Sequence, residues 1–187
     1  MPTPSDFSYS EWFQNINSEI FGIFQIYKLV ILHRAKLANL CQQLSKFRKI
    51  IRQIEYPCDK PSPKQVKKLQ ELVILLNNLK DLFSGLTNDN FIPFIEKMDI
   101  QYVKNYIMSF KIEFNDHCTN FQFLPQNIMT NDLNQDSYDD QGDIHDIIEH
   151  LTELINQNIL STKSLSQINE KIVQYKNHLT DFTTMMT

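Results

Sequence analysis

Apolar residues recur at steps of three and four through most of this chain, most densely from Arg34 to Ser84. Leu37, Leu40, Cys41, Leu44, Phe47, Ile51 and Ile54 form one stripe; Val66, Leu69, Leu72, Val73, Leu76, Leu79 and Phe83 form a second. Each stripe marks the buried face of an amphipathic α-helix. Pro57, Pro61 and Pro63 stop the first helix. Ser62 with Gln65 reads as a capping box, Pro63 suits the first helical position, and Gly85 reads as a C-terminal stop. The connection between the stripes is short, so the spacing predicts two antiparallel neighbours.

The same reading extends to both ends. Ser8 with Glu11 opens a first helix carrying Trp12, Ile16, Ile20, Ile23, Phe24, Tyr27 and Ile31. An unbroken helix from Ser8 to Glu55 would span roughly 70 Å, so a break is expected around residues 29–35. Phe91, Ile92, Pro93, Phe94 and Ile95 suggest a helical turn plugging the bundle end. Asp99 then caps a helix bearing Val103, Tyr106, Ile107, Phe110, Phe114, Cys118 and Phe121, ended by Leu124-Pro125. Residues 5–125 thus read as an antiparallel four-helix bundle, and the fold class as all-α.

Residues 126–143 are rich in Asn, Gln, Asp and Ser and hold no cation, which predicts a solvated acidic linker. Residues 144–187 read as C-terminal helices. Ile144, Ile148, Leu151 and Ile155 mark a short one, and Ser164 with Gln167 caps the last. There Leu165, Ile168, Ile172, Tyr175, Leu179 and Phe182 form an a/d seam, able to dock on the bundle or on a partner.

Composition changes this picture little. The chain has 187 residues, 42% hydrophobic and 21% charged, as in ordinary folded domains. Cys41, Cys58 and Cys118 are odd in number and widely spaced, which favours free thiols in a reducing compartment over a disulfide framework. Met1–Ser10 has no basic region, and Ile20–Leu32 is too short to span a bilayer, so a cytoplasmic location is expected.

Charge changes it more. From Lys28 to Lys80 there are twelve Lys and Arg against three acids, a surplus of nine positive charges. From Glu113 to Thr162 there are ten acids and no Lys or Arg. Such segregation concerns partners and steering. Lys46, Arg48, Lys49 and Arg52, with Lys64, Lys67 and Lys68, are the candidate anionic-ligand face. The acidic segment Asp132–Glu153 is expected to lie over this basic hairpin and mask it. A solvated helix face is the plainest reading of the cations, and a surface for anionic lipid or an acidic protein the next. Nucleic acid is disfavoured, because no binding motif accompanies the charge.

Catalytic signatures are missing: there is no glycine-rich phosphate loop, nucleophile elbow or zinc-protease helix motif. His145 with Glu149 and Asp146 with His150 sit at i and i+4, but the two pairs point apart and read as a polar face, not a metal site. His117-Cys118 reads as a surface His beside a core Cys. No catalytic residue, metal or cofactor is expected.

Three runs carry a family likeness: K-L-A-N-L-C-Q-Q-L-S-K-F at 36–47, V-K-K-L-Q-E-L-V-I-L-L-N-N-L-K-D-L-F at 66–83 and V-K-N-Y-I-M-S-F at 103–110. With the aromatic plug between the last two, they resemble the N-terminal four-helix domain of the mixed-lineage-kinase-domain-like family, whose architecture the Cbl adaptor's N-terminal bundle shares. The resemblance implies a non-catalytic regulatory head for a kinase-like protein, followed by a helical brace where Ile144–Phe182 lie. It implies a signalling protein or kinase domain as partner. The alternative is a membrane-active bundle, peripherally bound to anionic lipid through its basic face. The C-terminal helices offer a route to homo-oligomers. Kinase motifs themselves are absent from the chain.

Overall fold

The computed structural model describes residues 7–87, 100–130, 133–156, 166 and 168–177. They are all-helical apart from turns and an isolated bridge between Val30 and Thr87. The helices are α1 (Tyr9–Tyr27), α2 (Arg34–Gln53), α3 (Pro63–Gly85), α4 (Ile100–Thr119) and α5 (Leu133–Asn156), and residues 168–177 are helical as well. The expected aromatic plug, the Asp99 cap, the Ser164–Gln167 box and the seam positions Leu165, Leu179 and Phe182 lie outside the described residues.

Local signals place the first three helices. Ser8 and Glu11 close a reciprocal capping box on α1, and Ser62 with Gln65 does the same on α3, with Pro63 at the first position. The break expected at residues 29–35 falls at 28–33. There Ile31 N–H donates to the Leu86 carbonyl at 3.1 Å, tying the α1–α2 turn to the end of α3. Gly85 ends α3, but not as a left-handed cap, since no described glycine has positive φ. The last carbonyls are satisfied instead by Leu86 N–H on Phe83 and by the Thr87 hydroxyl on Ser84.

Topology departs from the expected hairpin. α2 and α3 are not packed as neighbours; α1 packs against both. Tyr27–Arg34, Asn17–Arg48 and Phe13–Tyr56 contacts set α1 antiparallel to α2. The Glu19–Lys80 ion pair and the Tyr27–Phe83 ring contact set α1 parallel to α3. α4 runs antiparallel to α3: Lys68 and Glu71 lie by Asp116 and His117, and Asp81, near the other end of α3, lies by Tyr106. The nine residues from Ile54 to Ser62 reach up to ~30 Å when extended, and helices pack only 8–10 Å apart. The connection therefore has slack to pass beneath α1, and Tyr56 anchors it there, stacked on Phe13 with ring centroids 5.3 Å apart.

Five rings close that end. Phe121 and Phe123, from the turn after α4, meet Tyr9, Phe13 and Tyr56 at 5.2–6.3 Å, mostly edge to face. Phe121, expected on the α4 helix, lies beyond Thr119, yet is buried all the same. Across the bundle, Phe47 of α2 meets Phe114 of α4 edge-on at 4.9 Å, and both are fully buried.

The expected linker is the largest departure. Residues 133–143 are the opening turns of α5, and Asp139, Asp140 and Asp143 are buried. α5 packs on α2 and, less extensively, on α4. Of the proposed C-terminal seam, Ile168, Ile172 and Tyr175 are buried in the same apolar cluster as the bundle.

Phe114→Ala should cost about 3–5 kcal/mol. Urea unfolding followed by far-ultraviolet circular dichroism measures it; a loss below about 1 kcal/mol would mean that the Phe47–Phe114 contact does not close the core.

Candidate functional site

α2 begins without a cap of its own. His33, at its N-cap position, has φ 56° and makes no side-chain capping bond. The first N–H groups of a helix need acceptors. Asp143 of α5 provides one: its Oδ1 accepts from Ala35 N–H at 3.0 Å, across 108 positions of sequence. Gly142 lies against Ala35 here, and a Cβ at that position would stand at an ordinary contact distance of 3.6 Å from the Ala35 methyl.

A charged seam surrounds this cap. The Lys36 ammonium, almost fully buried, pairs with Asp140 and lies 3.9 Å from Asp143. Lys104 of α4 reaches the other oxygen of Asp140 at 3.1 Å. His33 is fully buried with Nδ1 3.7 Å from Asp143 Oδ2. Buried charges persist only when paired, and here two ammonium groups from two helices meet carboxylates one helical turn apart on a third.

Below the seam, side chains grip backbone. Gln43 Oε1 accepts from Thr130 N–H at 2.8 Å while its Nε2 donates to the Thr130 carbonyl at 3.1 Å. Asn115 does likewise with Met129, at 2.9 Å and 2.8 Å. Lys111 Nζ donates to the Thr130 carbonyl at 3.0 Å. Met129 itself is buried. Residues 129–130 are therefore clamped between α2 and α4 through peptide groups, before α5 starts. Beside the clamp lies an open groove of about 620 Å³, lined by Ala35, Ala38, Asn39, Gln42, Lys46 and Asp139, among others.

The seven cations of the candidate anionic face do not form one surface. Lys46, Lys49, Arg52, Lys64 and Lys67 lie on the outside of the fold. Arg48 is turned onto α1, bonded to Asn17 at 2.6 Å and lying over the Phe21 ring at 5.1 Å. Lys68 is turned onto Glu71, 3.0 Å away, and Asp116, 3.5 Å away. With α1 packed against both helices, the α2 and α3 sets are not adjacent, and Lys46, Lys49 and Arg52 remain as one outward stripe at i, i+3 and i+6. Masking is correspondingly narrow among the described residues: Asp140 and Asp143 are spent on Lys36, Lys104 and the α2 cap, while Asp139 shares a groove with a face cation, Lys46.

The other candidates resolve simply. Burial pushes the Cys118 thiol up and the Cys41 thiol up to about 12, so both stay protonated and unreactive. Cys58 is exposed. Among the described residues no group of three or more His, Cys, Asp or Glu is placed to hold a metal ion, and no helix is long and apolar enough to cross a membrane.

Pattern reading missed His33, Lys36, Gln43, Lys104, Lys111, Asn115, Asp140 and Asp143. The available signal was polar residues in apolar register: Lys36 and Gln43 flank Leu40 at i−4 and i+3, and Lys111 follows Ile107 at i+4. No family model, curated protein or solved structure matches this chain.

Two histidines give a pH signature. Burial pushes His117 below its ordinary value, aided by Lys68 and opposed by Glu71, Asp116 and Glu113. Burial does the same to His150, opposed by Glu153. Both groups bind protons more readily in the unfolded chain, so stability falls as pH drops below about 6.5. Asp146, raised mainly by burial, acts in the opposite sense at lower pH. The urea midpoint should fall between about pH 7.5 and pH 5.5, and His117→Gln should shrink that fall. For the seam, Asp143→Ala should cost about 1–3 kcal/mol, and Asp143→Asn, which keeps a capping acceptor, should cost less. Equal losses in the two variants would refute the capping role.

Proposed function

We propose that this chain is a non-catalytic helical interaction module that engages an anionic protein surface through the outer face of α2. What carries the reading is the contrast among its cations. Lys36, Lys104 and Lys68 are satisfied by carboxylates within the fold. Lys46, Lys49 and Arg52 point outward, and none makes an ion pair within the described residues. A stripe of like charge with no internal partner attracts an opposite one and speeds its encounter. In this role the chain would be a regulatory head with a helical brace for a signalling protein, as the likeness to the mixed-lineage-kinase-domain-like and Cbl four-helix domains implies.

Anionic membrane lipid is the second reading, and a separate observation favours it. Phe21, 48% exposed, carries the Arg48 guanidinium over its ring, and Leu29, 64% exposed, follows the exposed Lys28. Exposed apolar side chains among cations suit a headgroup interface.

Replacing Lys46, Lys49 and Arg52 together by Glu separates these readings from a passive surface. At about 1 kcal/mol per cation near an anionic surface, binding should fall roughly a hundredfold. Fluorescence polarisation with an acidic peptide, beside flotation with phosphatidylserine vesicles, shows which partner is lost. If wild type binds neither at physiological salt, both readings fail.

A further inference from the structure

Among the described residues, the hydrogen bonds and ion pairs of 129–130, Asp140 and Asp143 run to α2 and α4: the two amide clamps, the Lys111 bond, the ion pairs of Lys36 and Lys104, and the α2 cap. Other contacts join the preceding helices without this segment: Phe47 on Phe114, and the aromatic cluster at the opposite end from the cap. The segment is thus a strap laid into a groove, and we propose that the same groove accepts the strap of a second copy of this chain, so that two chains exchange residues 128–156 reciprocally.

The groove specifies its occupant closely. The clamps read peptide groups, so they demand an extended segment with a buried apolar side chain, as at Met129. The ammonium groups of Lys36 and Lys104 then demand a helix with a carboxylate between them, and the α2 N-terminus demands another three residues on. A second copy supplies Met129, Asp140 and Asp143 in that order and spacing. No Lys or Arg between 113 and 162 opposes the docking.

The hinge favours exchange. Residues 120–127 form the turn that folds the strap back, and within it exposed Asn127 is held at φ 56°. Asn tolerates this left-handed conformation better than most residues, though not freely. An extended hinge releases it. Every bond that the strap breaks on opening re-forms in the groove of the second chain, so the hinge conformation decides the balance between closed and exchanged forms. The proposal stands apart from the anionic-partner reading, since it uses none of Lys46, Lys49 and Arg52.

The test uses full chains whose mass is followed by light scattering from micromolar to millimolar concentration. Asn127→Val, which a left-handed turn disfavours, should tighten dimerisation roughly tenfold or more relative to wild type, and Asn127→Gly should weaken it. A second pair of chains tests the route. One carries Lys36→Glu with Lys104→Glu, the other Asp140→Lys. Each repels its own strap, but each strap suits the other's groove. Refolded together they should give a dimer of twice 22.1 kDa that neither gives alone. The proposal is overturned if the Asn127 variants and wild type all stay at single-chain mass at millimolar concentration. It is equally overturned if they dimerise alike, or if the reversed chains fold separately but do not pair. Should the reversed chains fail to fold, the Asn127 series decides.

Discussion

A helix start without a cap is the constraint around which this structure is arranged. α2 opens at His33, a residue whose left-handed backbone turns the chain sharply but whose side chain satisfies none of the new N–H groups. The missing acceptor comes from Asp143. Bringing that carboxylate to Ala35 obliges α5 to lie along α2, with Gly142 against Ala35. Asp140, one helical turn earlier, is then carried between Lys36 and Lys104. The capping bond and the ion pairs of Asp140 together fix the register of a helix that is remote in sequence.

Two kinds of cohesion divide the molecule. α1, α2, α3 and α4 are joined by apolar stripes and rings, a driving force that scales with buried area and tolerates many arrangements. α5 and the segment before it also bury Met129, Ile144, Ile147 and Leu151, but their position is specified by directional bonds. An amide clamp or a buried ion pair is worth little net, yet leaving one half-made is expensive. Such bonds choose one placement among several greasy ones. This is why a stretch with linker-like composition is ordered: its acids have buried partners.

The same division bears on function. Cations absorbed by the α5 seam and by the α3–α4 packing are structural, while those of the outer α2 stripe make no ion pair among the described residues and carry the proposed role. A net charge of −4 conceals both facts. Where the positive charges sit relative to the fold's own carboxylates matters more than how many there are.

The amino-acid sequence alone determined α1, α2 and α3, with the capping boxes that open α1 and α3. Capping at Ser8 and Ser62, the break before α2 and the buried faces of Leu40, Leu72 or Phe110 all depend on residues a few positions apart, and local spacing encodes local structure. The tertiary structure alone decided which helices touch. The residues that follow α2 were compatible with a hairpin or with passage beneath α1, and stacking of Tyr56 on Phe13 selected the second. It also decided the fate of the acidic stretch. Asp139, Asp140 and Asp143 look solvated in any window of sequence, because the groups that neutralise two of them, Lys36, Lys104 and the N–H of Ala35, lie 36 to 108 positions away. Periodicity reports which face is buried; it carries no information about which distant charge will be waiting there.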